Sequence, residues 1–96
     1  MRLGKIVGNI VSTVKDPTHH GLKLLVARFI DTNGRFISDE MVCTDCADAG
    51  IGDTVLINDD GGAAQIALND DEVIIDHVVV GVVDYYQING EMIYPQ

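Results

Sequence analysis

The chain has 96 residues and a formal charge of −9, from 15 acidic against 6 basic side chains. Its hydrophobic fraction of 47% excludes a disordered chain. The acidic balance opposes both nucleic acid and anionic membrane surfaces, which are bound through Lys and Arg. The length is that of one domain, and a chain of this size buries roughly two thirds of its unfolded surface, enough for one modest core.

Lys5 to Val14 alternates as a strand, with Ile6, Gly8, Ile10, Ser12 and Val14 on one face and Val7, Asn9, Val11 and Thr13 on the other. Both faces are partly apolar, which suits a central position in a sheet or barrel. Lys15 to Gly21 is a loop by its Pro17 and Gly21 punctuation. Leu22 to Asp31 reads as the second strand. Asp31-Thr32-Asn33-Gly34 has hairpin-turn chemistry. A third strand follows over Arg35 to Thr44, with a break near Ser38-Asp39-Glu40. Gly50 and Gly52 permit a tight bend before a short fourth strand, Thr54 to Asn58. Ala63 to Leu68 tolerates a short helix. Asp76 to Tyr86 is the most apolar strand, carrying Val78-Val79-Val80-Gly81-Val82-Val83 on both faces. Gln87 to Gly90 turns, and Glu91 to Tyr94 is a short last strand. The expected fold is mostly β: a small OB-like five-stranded barrel with one short helix and a short C-terminal strand.

Candidate chemistry is sparse. Cys43-Thr44-Asp45-Cys46 is a C-x-x-C, whose thiolates could clamp a metal or exchange a disulfide. The redox use wants a following helix, and a glycine-rich turn follows instead. The metal use wants two further ligands, and His19, His20 and His77 have no ligand spacing to the cysteines. Two small, soft residues at a strand end explain the pair better. His19-His20 is expected to be a solvated loop pair, and His77 a satisfied structural or interface residue. Asp59-Asp60 and Asp70-Asp71-Glu72 lack calcium-loop spacing and read as solvated turns. No nucleophile–base arrangement and no phosphate loop appears, so no enzyme and no cofactor are expected. Met1 to Lys5 runs straight into a strand pattern rather than a secretory signal, and no apolar run approaches the roughly 20 residues of a membrane helix. A reduced, cytosolic setting is therefore expected.

The central stretch carries a more specific signal. Asp45, then Ala49-Gly50-Ile51-Gly52-Asp53-Thr54-Val55-Leu56, then Gly61-Gly62-Ala63-Ala64, resembles the EutN/CcmL family of pentameric microcompartment vertex proteins. Further matches run nearly end to end: Gly8-Asn9-Ile10-Val11-Ser12-Thr13-Val14-Lys15, Gly21 to Val26, Asp31 with Gly34, Asp76, and Val80-Gly81-Val82-Val83-Asp84. Departures from the family pattern fall in three places. Asp48 stands where a glycine is usual, Gly61-Gly62-Ala63-Ala64-Gln65 lacks the usual serine and arginine, and Ile74 replaces a proline.

The resemblance implies a homopentamer that caps the vertices of a shell otherwise tiled by hexameric shell proteins, in the bacterial cytoplasm. It places Gly61, Gly62, Ala63 and Ala64 at a pore or five-fold axis, and Asp45, Gly50, Gly52 and Asp84 at the subunit interface. A single-stranded nucleic-acid binder is the natural rival for an OB-like barrel, but charge and scarce aromatics oppose it. A small metal-binding or redox module using Cys43 and Cys46 is the other alternative.

Overall fold

A computed structural model describes residues 1–11, 23–59, 64–68 and 71–95. Among them are nine strands: β1 (Arg2–Ile10), β2 (Leu24–Phe29), β3 (Met41–Asp45), β4 (Thr54–Asn58), β5 (Ala64–Leu68), β6 (Asp71–Ile75), β7 (His77–Val82), β8 (Tyr86–Ile88) and β9 (Glu91–Ile93). Five of these close a barrel in the order β1-β2-β3-β7-β4, with β4 returning to β1. All its pairings are antiparallel except β3 with β7, which run parallel. A five-stranded closed barrel leaves no strand edge open to water.

The alternation of side chains decides what fills it. Ile6, Leu25, Ala27, Phe29, Cys43, Val55, Ile57 and Val79 point inward and form one buried cluster, joined by Ala49 from the loop after β3. Gly4 is required by this packing. A Cβ there would collide with Ile57 Cδ1 and lie 3.2 Å from the Arg28 carbonyl oxygen. β1 changes register against β2 between Ile6 and Gly8, a bulge that bends the strand around the barrel.

The turn expected at Asn33-Gly34 is present. Asp31 Oδ1 accepts from the Asn33 and Arg35 amides at 2.8 and 3.0 Å, and Gly34 adopts φ +82°. Ile30 and Phe36 form an isolated bridge beyond β2, and Met41 opens β3, so the third strand is interrupted across 37–40 as expected. Thr54–Asn58 is a strand with the expected bounds.

Three expectations are corrected. The segment expected to be a short helix forms strand β5 over Ala64–Leu68, paired antiparallel with β6 from Ala64↔Ile75 to Leu68↔Asp71. Helix preference among Ala, Gln and Leu is worth only tenths of a kcal/mol per residue, and ladder pairing with Asp71–Ile75 overrides it. The long strand expected over 76–86 is shorter: β7 spans His77–Val82, and Tyr86 already belongs to β8. Ile75, at the base of the β5–β6 hairpin, packs with Leu24 in a second small core beside Ile10 and Val42. The single short C-terminal strand is one arm of a hairpin, β8–β9, turned by Asn89 and Gly90 at φ +51° and +82°. Positive φ at both central residues is the Asn-Gly hairpin geometry that follows strand twist. Tyr86 Oη donates to the Thr32 carbonyl at 2.7 Å and ties this hairpin to the 31–34 turn.

Candidate functional site

β3 and β4 are not neighbours, because β7 lies between them. The chain crosses from one to the other through residues 46–53, and Asp45 organises that crossing. Its side chain is only 1% exposed. Oδ1 accepts from the Ala47 amide and Oδ2 from the Ala49 amide, each at 2.9 Å. Lys23 Nζ lies 3.2 Å from Oδ2 and donates to the Ala49 carbonyl at 2.8 Å. The Asp45 carboxylate first, then Asp48, holds the Lys23 ammonium above its usual pKa against the opposing pull of desolvation.

Asp48 sits at φ +55°. This is the position where the family pattern has glycine, and aspartate is among the few side chains that tolerate the left-handed region. Its carboxylate lies 3.4 Å from Lys23 Nζ, fully exposed. The loop closes with a turn in which the Asp53 amide donates to the Gly50 carbonyl at 3.0 Å. Gly52 stands at φ +94° in its third position, as a type II turn demands. Asp53 Oδ2 accepts from the Gly50 amide at 2.8 Å. The turn is hooked to β1 at its bulge: the Gly52 amide donates to the Ile6 carbonyl, and the Ile6 amide to the Asp53 carbonyl. Asp45, Gly50 and Gly52 thus meet in one loop, where their polar groups serve the fold of their own chain. Ile51 at the tip is left exposed.

Asp84 is placed elsewhere. It follows β7 and lines a groove of about 380 Å³ with Leu3, Leu56, Val82, Val83, Tyr85 and Tyr86. Leu3, Leu56 and Val82 belong to three adjacent barrel strands, β1, β4 and β7. Val80, Val82 and Tyr85 are exposed there. Along β7, Val79 fills the barrel while Val80 and Val82 are open to water. Of the expected axis residues, Gly61, Gly62 and Ala63 lie outside the described residues, and Ala64 opens β5.

The two cysteines do not share an environment. Cys43 lies in the barrel core, where burial, with the charge of Asp76 adding, pushes its thiol up to about 11. Cys46 is exposed at the start of the crossing loop, and both are free. A protonated core thiol is a poor nucleophile and a poor metal ligand. No group of three His, Cys, Asp or Glu side chains able to hold a metal occurs among the described residues. His77 Nδ1 lies 2.7 Å from Asp76 Oδ1, and its ring meets the edge of Phe29 at 5.8 Å between centroids. His19 and His20 lie outside the described residues. Asp59 is half-buried after β4; its neighbour Asp60 and Asp70 also lie outside them. Sequence alone missed the Lys23–Asp45 pair, which joins residues 22 apart through the β2–β3 ladder.

Comparison with known proteins gives this barrel and its loop a class. Residues 1–84 match the family described as "Ethanolamine utilisation protein EutN/carboxysome". The carboxysome shell vertex protein CcmL of Synechococcus elongatus is 32% identical over 94 residues, covering 98% of this chain and 94% of that one. The structure of CcmL from Nostoc sp. PCC 7120 superimposes with a TM-score of 0.76 at 32% identity, over 100% of both chains. The GrpN pentameric microcompartment shell protein from Rhodospirillum rubrum superimposes with a TM-score of 0.71 at 31% identity, covering 92% of this chain and 98% of that one. The class is that of structural shell proteins rather than enzymes. The chain belongs to the EutN/CcmL family.

Proposed function

We infer that this protein is a vertex protein of a bacterial microcompartment shell, in the bacterial cytoplasm, working as a cyclic pentamer. The observation that carries this is full-length likeness to shell vertex proteins, together with the superposition on a pentameric shell protein. The physics agrees. A hexagonal sheet closes into a shell only through five-fold defects, and identical subunits joined head to tail close into a ring when the rotation per contact allows it. Hexameric shell proteins are its partners at the rim. A formal charge of −9 per subunit becomes −45 over five copies, which keeps the free capsomer soluble before it is captured.

Within the ring, Gly61, Gly62, Ala63 and Ala64 border the five-fold axis, where small residues suit the crowded approach of five backbones. Asp45, Gly50 and Gly52 act at the interface through the loop they shape, and Asp84 acts there directly. Native mass spectrometry tests the assembly. Five copies of the 10.4 kDa chain give a single species near 52 kDa. A stable monomer or dimer at micromolar concentration overturns the proposal. Gly62→Trp is expected to keep the pentamer and occlude its axis, and loss of the pentamer in that variant counts against the axis placement.

A further inference from the structure

A head-to-tail ring needs two different and complementary patches on each subunit. The barrel carries two exposed apolar patches, on different strands. The first is the groove over β1, β4 and β7, centred on Leu3, Leu56, Val82 and Tyr85, with Asp84 at its margin. Among the described residues Asp84 has no hydrogen-bond or ion-pair partner. The second patch lies just after β2, the strand next to β1 in the closed order. There Phe36 is 44% and Ile37 55% exposed.

The second patch has the build of a knob. The Ile37 amide donates to the Phe29 carbonyl at 2.9 Å, which fixes the backbone to the end of β2. Ser38 Oγ accepts from the Phe29 amide at 2.8 Å. Arg28 Nε donates to the Ser38 carbonyl at 2.9 Å, and its guanidinium lies over the Phe36 ring at 4.1 Å. The guanidinium's remaining N–H groups have no acidic partner among the described residues. Two apolar side chains on a fixed backbone thus stand beside a cation, and the groove presents apolar walls beside an anion that has no partner among the described residues. Aromatic and Arg side chains of this kind are the usual anchors of protein interfaces.

We propose that Phe36 and Ile37 of one subunit seat in the groove formed by Leu3, Leu56, Val82 and Tyr85 of the next, with Arg28 paired to the neighbour's Asp84. The proposal rests on the pentamer reading and names the surfaces that make it.

A charge exchange tests it, with native mass measured at micromolar concentration and circular dichroism confirming that each variant is folded. Asp84→Arg and Arg28→Glu are each expected to raise the dissociation constant of the ring at least tenfold and to yield subunits of lower mass. The double variant R28E/D84R is expected to recover the 52 kDa species. Phe36→Ser tests the apolar half and is expected to weaken the ring similarly. Folded single variants that remain pentameric overturn the proposed surfaces while the pentamer stands, as does a double variant that stays dissociated. A wild-type protein that is itself monomeric overturns the pentamer, and the surfaces with it.

Discussion

The crossing loop and the outer groove are built from similar material and left in opposite states. In the loop, both oxygens of Asp45 are taken by Ala47, Ala49 and Lys23, and Asp53 is taken by Gly50. In the groove, Asp84 is exposed and Val82 and Tyr85 are open to water. Both aspartates belong to the family pattern, so the pattern alone does not separate their roles. Burial and partners do: one aspartate folds its own chain, and the other is available to a neighbour.

The comparison breaks most sharply at Asp45. Asp45→Ala strips two backbone amides of a buried acceptor, and each such amide costs about 1–3 kcal/mol. Urea unfolding is expected to show a loss of about 3 kcal/mol, with Asp45→Asn intermediate because it retains one acceptor oxygen.

The two cysteines extend the contrast between buried and exposed. Cys43 has a folded-state pKa of about 11 against an ordinary 9.0. The protonated thiol is therefore favoured by folding. Its contribution is fully present below pH 9 and is lost as pH rises from 9 through 11, by about 2 kcal/mol at the upper end. Unfolding curves of wild type and Cys43→Ala, compared between pH 8 and 11, should converge as this contribution disappears. At pH 8 a thiol reagent is expected to label Cys46 rapidly and Cys43 only on unfolding.

A smaller effect, of opposite sign, belongs to Asp48. Asp48→Gly relieves a left-handed side chain and gives up only a fully exposed ion pair with Lys23. The net gain expected in denaturant unfolding is about 0.5–1 kcal/mol. The smallest effect on subunit folding belongs to the groove. Val82→Asp replaces a side chain that is 40% exposed. Subunit stability should move by no more than about 0.5 kcal/mol, while the native mass falls below that of the ring.

Much of the fold was legible where chemistry is local. The Thr54–Asn58 strand, the Asn33-Gly34 turn and the interruption at Ser38-Asp39-Glu40 all follow from residues acting on their immediate neighbours. The apolar double face of 78–83 was legible too, because alternation in a strand reports both surfaces at once. What failed depended on distant partners. Ala64–Leu68 became a strand because Asp71–Ile75 pairs with it. The turn expected over Gln87 to Gly90 narrows to Asn89-Gly90, because Tyr86–Ile88 pairs with Glu91–Ile93 as a strand of its own. The contact of Asp45 with Lys23, which stands just before β2, is announced by no spacing in the sequence.

The parallel pairing of β3 with β7 has one further consequence, for the order of events in the cell. β7 is the last barrel strand to be synthesised, and it inserts between β3 and β4, which precede it. Such non-local pairing forms late in folding. On the proposed contact, β7 also supplies part of the surface that meets the neighbouring subunit. A chain whose barrel is still open therefore has no finished docking face, and ring assembly selects for copies that have completed folding.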